Sequence, residues 1–256
     1  MATKTNTSTD ISRITLDAKP EGGRDVHSHM DFLDDSVHLD FPLVPAGAVK
    51  PDPDHAFTTH PVVVRDLRGK EDQFSMDVNG FQFLNHKSAL KSEEFYDRTK
   101  YPTYTKEIEE LLRKETIDML KTICGDESEE LLKKRWAQVN VWRPIKTIKK
   151  APFALMDFSS IREEDMRKRG YKHMNGSAYN QTSKLVTSET VYPMWKPDQQ
   201  WYYQSFMQPY EAMIFTIAAS DHSKAWFVPH SAFVDPEFEN EDDRESIETR
   251  VFIFWD

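Results

Sequence analysis

From His60 onward, apolar residues come in short runs separated by turn residues. Runs of this length, some of them alternating with polar positions, are typical of strands in a sheet with at least one buried face. An Asn-Gly pair at Asn79 and Gly80 adds a tight-turn signal between two of the runs. The predicted strands are 61–64, 73–78, 81–84, 137–142, 153–156, 184–191 and 210–219.

Helical spacing of apolar residues is confined to fewer segments. Tyr104–Lys114 predicts a helix, with Thr105 as a plausible cap. Ser128–Trp136 predicts a second helix, and Ser159–Asp165 has the pattern of a capped, acidic helix start. The pattern as a whole therefore predicts a mainly β domain with a few helices.

Residues 1–59 are rich in proline and polar side chains and show no sustained period. We expect them to form a poorly ordered N-terminal arm, and residues 60–256 to form one domain. Two His-x-Asp pairs lie in the arm, His29 with Asp31 and His38 with Asp40. On a strand, both side chains of such a pair would face one metal ion. The interpretation as a polar arm is favoured, because the pairs precede the strands that open the domain.

Composition narrows the classes of partner. The formal net charge is −10, which argues against a nucleic acid or an anionic membrane surface, since both favour a basic protein. No apolar run approaches the length of a membrane helix. One cysteine, Cys124, excludes an internal disulfide and suits a reducing compartment. We expect a cytoplasmic protein that acts on a small molecule; the oligomeric state stays open.

The candidate chemistry lies near the C-terminus. His230 is followed by Arg244 and, two residues later, by Ser246. If these last two lie on a strand, they present a guanidinium and a hydroxyl on one side, a combination suited to a carboxylate. Arg250, on the same strand face, is the reserve candidate, and Tyr202 is an aromatic that could line a pocket or belong to the core. The alternative interpretation is a surface loop with a strand behind it.

Several blocks of sequence, in this order, resemble the fungal hydroxylase/desaturase family related to the gibberellin desaturases and the cephamycin methoxylase-associated proteins. The blocks are Asn140-Val-Trp-Arg-Pro144, Ala151-Pro-Phe-Ala-Leu-Met-Asp157, Gln200-Trp-Tyr-Tyr203, Met207-x-x-x-Glu211, Pro229-His-Ser-Ala-Phe233 and Arg244-Glu-Ser-Ile-Glu-Thr-Arg250. The resemblance covers roughly residues 60–256. It implies a double-stranded β-helix, that is, a cupin-like jelly roll of the mainly β, α+β class with flanking helices.

The resemblance also implies an oxygenase that uses Fe(II) and 2-oxoglutarate to hydroxylate or desaturate a small natural product in fungal secondary metabolism. In such a site His230 would be the last ligand of a two-histidine, one-carboxylate triad. Arg244 and Ser246 would hold the far carboxylate of 2-oxoglutarate, with Arg250 and Tyr202 as further cofactor-binding candidates.

One departure from the family concerns the metal. Relatives carry an extra segment with a His-x-Asp that supplies the first two iron ligands, whereas this chain runs on through Asp118 without a histidine between His86 and His173. Either a segment is missing near residue 116, which would leave the jelly roll incomplete, or one longer helix passes here. We favour the deletion. The chain is then either a non-catalytic form of the fold or completes its triad with His29 and Asp31, or with His38 and Asp40. We expect the first, a chain that binds iron poorly, because pinning the arm at the site costs ordering entropy.

Overall fold

The structure is a computed structural model that describes residues 23–34, 57–115, 133–175 and 184–255. Among these residues, no helix has the length and apolar character needed to cross a bilayer. The chain forms eleven strands and one α-helix in this described part. In chain order they are β1 (Val26–Leu33), β2 (Phe57–Asp66), β3 (Phe81–Asn85), α1 (Tyr101–Glu115), β4 (Arg135–Pro144), β5 (Phe153–Met156), β6 (Met166–Asn175), β7 (Lys184–Pro193), β8 (Trp201–Tyr203), β9 (Glu211–Ala219), β10 (His230–Ala232) and β11 (Ser246–Trp255).

The strands form two main sheets and a hairpin. One sheet has the order β1-β2-β8-β5-β10, the other β11-β4-β9-β3, and β6 pairs with β7. All neighbours are antiparallel except β2 and β8. An apolar layer joins the two sheets, with Leu155 from the first and Trp142, Met213 and Phe215 from the second. Two packed sheets of this kind confirm the predicted jelly roll.

Helix α1 covers the other face of the four-stranded sheet. Tyr104 and Ile108 are buried in a cluster that contains Val141 and Val251. Pro102 lies in the first turn, where its missing N–H costs nothing. The predicted helix is confirmed, but Thr105 is not its cap: the Oγ1 of Thr105 donates to the Tyr101 carbonyl at 3.0 Å, inside the helix.

Arg143 ties α1 to the end of β4. Its side chain is fully buried. Its Nε donates to the Tyr104 hydroxyl at 3.2 Å, Nη1 donates to the Pro209 carbonyl at 2.9 Å, and Nη2 lies 3.8 Å from Glu107 Oε1. Because a buried guanidinium needs such partners, Arg143 serves to dock the helix rather than to bind a ligand.

Some predicted elements are wrong. Residues 73–78 form no strand, because Asn79 hydrogen-bonds back to Ser75 through side chain and backbone and closes a local turn. Ser159–Asp165 forms two 3₁₀ turns, the first capped by Asp157, which accepts from Ser159 N at 2.9 Å. Trp136, assigned to the second helix, belongs to β4. Of the same predicted helix, residues 133 and 134 form a turn and Arg135 opens β4. Residues 128–132, Asp118, Cys124, His38 and Asp40 lie outside the described residues.

Strand β1 lies within the segment expected to be a poorly ordered arm. It pairs with β2 from Val26 opposite Val64 to Leu33 opposite Phe57. Its buried side chains, Val26 and Phe32 among them, alternate with exposed histidines and an aspartate. The two-residue period of these positions is a strand signal in the sequence itself.

Candidate functional site

His230 is held in one orientation at the edge of the five-stranded sheet. It opens β10 and pairs with Leu155 of β5. Its Nδ1 lies 2.8 Å from the carbonyl oxygen of Val228. A carbonyl can only accept, so Nδ1 carries the proton and Nε2 keeps a free lone pair. That is the state of a histidine ready to ligate a metal.

Two aromatic rings surround the imidazole. The ring centroid of His230 lies 4.7 Å from that of Phe215 and 5.5 Å from that of Phe153. Although part of His230 is open to solvent, the surrounding protein removes enough water to lower the pKa of its imidazole, and the Val228 hydrogen bond opposes this only in part. Burial therefore favours the neutral, metal-binding form.

Arg244 reaches the same aromatic cluster from the loop that precedes β11. Its Nη1 donates to the Ala151 carbonyl at 2.9 Å, and its guanidinium carbon lies 5.6 Å from the ring centroids of both Trp142 and Phe153. Burial lowers the pKa of Arg244. Phe153 thus contacts both His230 and Arg244, and the structure brings these two predicted residues to one ring.

Ser246 begins β11, opposite Pro144 of β4. Arg244 lies in the loop before the strand, so the prediction that the two residues share one strand is wrong. A further backbone bond, from Ile145 N to the Glu245 carbonyl at 3.0 Å, joins the two segments, and Arg244 precedes it in the chain.

Further along β11, three side chains form a hydrogen-bonded group. Arg250 Nε donates to Asn140 Oδ1 at 3.1 Å, and Asn140 Nδ2 donates to Glu248 Oε1 at 2.6 Å. Arg250 Nη2 lies 3.7 Å from the same Glu248 oxygen. Glu248 raises and Arg250 lowers the pKa of His230, so both lie within electrostatic reach of the imidazole.

Sequence reasoning missed Glu248 and Asn140. The signal for Glu248 was present, because positions 246, 248 and 250 follow the two-residue period of a strand and so share one face. Asn140 could be found only through the register, which places it opposite Arg250.

Tyr202 lies in the apolar layer between the sheets, not beside His230. His230 lies opposite Leu155, and Leu155 lies opposite Tyr202 on the next strand. The backbones of His230 and Tyr202 are therefore two strand spacings apart, about 10 Å. The hydroxyl of Tyr202 donates to Gln200 Oε1 at 2.8 Å, its ring packs 4.7 Å from that of Phe74, and burial raises its pKa.

His29 and Asp31 lie far from His230. Both are on β1, at the opposite edge of the sheet, where Asp31 Oδ1 accepts from Thr59 Oγ1 at 2.6 Å. Four strand spacings of about 4.8 Å separate β1 from β10. The structure therefore does not bring the pair to His230, and within the described ranges no three His, Cys, Asp or Glu side chains are grouped to hold a metal.

A family described as oxidoreductase/YMDC permease-like domain matches residues 34–118 and 114–254. The hydroxylase/desaturase asaB of Aspergillus flavus is 33% identical over 205 residues, covering 77% of this chain and 82% of that protein. The hydroxylase/desaturase efuI of Hormonema carpetanum is 29% identical over 255 residues, covering 78% and 85%.

Among solved structures, the iron and alpha-ketoglutarate-dependent endoperoxidase NvfI superposes with a TM-score of 0.69. The match covers 90% of this chain and 98% of that one at 20% identity. At this identity the likeness supports the fold alone.

The alignments also bear on the missing segment. The alignment with efuI is 255 positions long, but it includes only 78% of the 256 residues of this chain, or about 200 residues. About 55 positions of that alignment therefore have no counterpart in this chain. The two stretches matched by the family profile meet at residues 114–118, where the sequence predicts a deletion. The asaB alignment contains no gap of that size in this chain.

Proposed function

The chain belongs to the fungal hydroxylase/desaturase family, and from that premise we propose that it takes part in the oxidation of a small natural product, a hydroxylation or a desaturation, with Fe(II) and 2-oxoglutarate. Relatives named as alpha-ketoglutarate-dependent dioxygenases, from Talaromyces stipitatus and from a second fungus, support the choice of cofactors. The observation that carries the proposal is His230, whose Nε2 is left free by the Nδ1 contact with Val228, beside an aromatic cluster that also holds Arg244.

The site suits a dicarboxylate. Arg244 uses one guanidinium nitrogen on the Ala151 carbonyl, which leaves other donors for a carboxylate. The aromatic rings of Trp142 and Phe153 beside it limit access of water, so an ion pair formed there would be stronger than one on the surface. In this proposal Arg244 and Ser246 hold the carboxylate, and Arg250 is the alternative.

The described residues do not fit iron as a set. His230 supplies one ligand, and the other two that a facial triad needs are not grouped with it in the part of the chain that the structure describes. A single imidazole binds Fe(II) weakly, because affinity depends on the number and the fixed arrangement of ligands. We therefore assign no catalytic step to iron in this chain.

A second candidate function follows from the same observation. A chain that lacks about 55 positions of a relative and keeps one iron ligand would act as a non-catalytic form of the fold that binds a dicarboxylate or the natural product. The asaB alignment has no such gap, so that relative matches this chain in length across the aligned region.

An anaerobic titration with Fe(II) and 2-oxoglutarate separates the two candidates. The visible charge-transfer band is recorded for wild type, His230→Ala and His29→Ala. The non-catalytic form predicts no strong band in any of them, whereas a complete oxygenase predicts a band that His230→Ala abolishes. A band that is present in wild type and absent in both variants would show that His29, and with it β1, belongs to the metal site.

Two coarser expectations remain proposals. We propose a cytoplasmic location, supported by the single cysteine, which suits a reducing compartment. We also propose that residues 60–256 form the oxygenase-like domain and that the arm contributes β1 to its sheet.

A further inference from the structure

A groove of about 380 Å³ lies where β1 and β2 meet the loop that leads into β8. His27 pairs with Val63 across the two strands, and both are exposed. On the other side the groove is bounded by Trp195, Lys196 and residues up to Trp201. This volume falls within the range of small-molecule sites.

The wall formed by this loop is already ordered. Gln199 Nε2 donates to the Met194 carbonyl at 2.8 Å, and Gln199 Oε1 accepts from Lys196 N at 3.2 Å. The indole of Trp195 stacks on His60 with a centroid distance of 4.6 Å and an interplanar angle of 7°. A ligand would therefore meet a preformed surface, which lowers the entropic cost of binding.

The charge of the groove is opposite to that of the protein. Arg65, Lys196, His27 and His29 line it, and no described aspartate or glutamate does. Arg65 forms no salt bridge with a described carboxylate, and Lys196 Nζ is 3.6 Å from Asp165 Oδ1, a loose contact. In a chain of net charge −10, such a surface concentrates small anions.

A buried donor next to the groove has no partner among the described residues. Trp201, a lining residue, is 4% exposed, and its buried Nε1–H meets no acceptor among the described residues. A buried N–H without an acceptor is uncommon and costs free energy. Indole rings beside cationic side chains favour a flat apolar body with an acidic group.

From these observations we propose that the groove is a second binding site, specific for a planar aromatic carboxylate. The carboxylate pairs with Arg65 and Lys196, and the aromatic body lies against the indole of Trp195. The site is separate from His230. Arg65 lies opposite Tyr202, Tyr202 opposite Leu155 and Leu155 opposite His230. The backbones of Arg65 and His230 are therefore three strand spacings apart, about 14 Å. Tyr202 and Leu155, in the buried layer between, keep the two sites apart.

The test is calorimetric titration of the whole chain with 2-naphthoate, with neutral 2-naphthamide as the matched ligand. We expect saturable binding of the acid and at least tenfold weaker binding of the amide. Arg65→Gln and Lys196→Gln should each weaken binding of the acid at least fivefold. Arg135→Gln, an arginine at the start of β4 in the other sheet that pairs with Asp221 at 3.2 Å, should leave it unchanged.

A second measurement guards against misfolded variants and against binding at His230. The indole N–H signal of Trp201, identified by its loss in Trp201→Phe, should shift on addition of 2-naphthoate to the wild-type chain. Saturating 2-oxoglutarate and the His230→Ala substitution should leave binding unchanged. Displacement by 2-oxoglutarate, loss in His230→Ala, equal affinity for acid and amide, or no saturable binding would each overturn the proposal. None of these outcomes decides the proposed oxygenase function, which the iron titration tests separately.

Discussion

Asn140 and Glu248 are joined by a 2.6 Å hydrogen bond from Nδ2 to Oε1, across the pair of strands that carries the C-terminal motif. Arg250 donates to the other end of the same amide. The carboxylate of Glu248 lies 3.7 Å from Arg250 Nη2, whereas Arg244 has no described carboxylate within ion-pair distance, and this difference distinguishes the two arginines that could hold a dicarboxylate.

The first prediction concerns Glu248→Gln. If Arg244 anchors 2-oxoglutarate, removing the charge of Glu248 changes the affinity by no more than about twofold, the scale of a partly exposed ion pair. Isothermal titration calorimetry with 2-oxoglutarate checks this. A clear gain in affinity would assign the anchor to Arg250, because the substitution frees that guanidinium.

The second prediction is that Arg244→Ala weakens 2-oxoglutarate binding by about 2 kcal/mol, or about thirtyfold, since one partner of a half-buried charge pair is removed. Arg244→Lys should recover only part of the loss, because a lysine lacks the planar fork. Arg250→Ala is the matched control. Unchanged affinity in Arg244→Ala together with a loss in Arg250→Ala would reverse the assignment.

Gly80 gives a third prediction, which links a turn to His230. Its φ is +83°, and a Cβ would lie 2.4 Å from Val228 Cγ2, on the residue whose carbonyl fixes the imidazole. Gly80→Ala should lower the free energy of unfolding by about 2–4 kcal/mol through strain and steric overlap.

Gly69→Ala is the control for Gly80→Ala. Gly69 has a φ of +80°, and no atom lies within 4 Å of the position that a Cβ would take, so its substitution carries the backbone strain alone, about 1 kcal/mol. Urea unfolding of both variants measures the difference. Equal losses in the two proteins would show that Val228 moves aside freely.

The fourth prediction concerns alkaline pH. Burial raises the pKa of Tyr203, whose hydroxyl donates to the Arg24 carbonyl at 2.7 Å. Below the ordinary tyrosine pKa of about 10 the stabilising contribution is complete. Above it the unfolded chain loses the phenolic proton and the folded chain keeps it. Stability then falls by up to about 1.4 kcal/mol per pH unit for this group.

Tyr203→Phe should flatten that decline, although it loses the hydrogen bond at every pH. Urea midpoints between pH 9 and pH 11 for both proteins, referred to pH 8, provide the measurement. Burial also raises the pKa of Tyr104, so Tyr104 adds its own loss of stability with rising pH. That loss is the same in the wild type and in Tyr203→Phe. Parallel curves would mean that Tyr203 does not contribute.

A fifth prediction addresses the gap near residue 116. We insert the unmatched segment of the Hormonema carpetanum protein between Thr116 and Ile117. The resulting chimera should show the charge-transfer band with Fe(II) and 2-oxoglutarate. The band should disappear when His230→Ala is introduced into the chimera. A folded chimera without the band would mean that the segment is not what this chain lacks for iron.

Much of the fold could be predicted from local pattern, because strands with a buried face must alternate and α1 needs an apolar stripe. The strands around Val64, Phe83, Leu155 and Phe215 and the helix around Ile108 were all found in this way. The strand predicted at residues 73–78 is wrong. Apolar and polar residues alternate there, but they lie in a loop that is closed by a hydrogen bond from Ser75 N to Asn79 Oδ1.

The site was less predictable. His230 and Arg244 could be named from the sequence, yet their meeting at Phe153 depends on how two sheets pack. Glu248 and Asn140 become partners only through register, and a strand register is a property of the sheet, not of either segment alone. For His29 the local spacing was right for a metal ligand, but the sheet order placed it at the wrong edge.

Strands β10 and β11 stand at the margins of the two sheets, and they carry His230 and Arg250. Within the described sheets, β5 lies between β8 and β10, and β9 lies between β4 and β3. A stretch absent before β4 therefore leaves these two central strands paired on both sides. Architecture and metal chemistry are therefore separable in this fold. A lineage could lose an oxidation reaction in a single deletion and retain a scaffold on which ligand recognition continues to evolve.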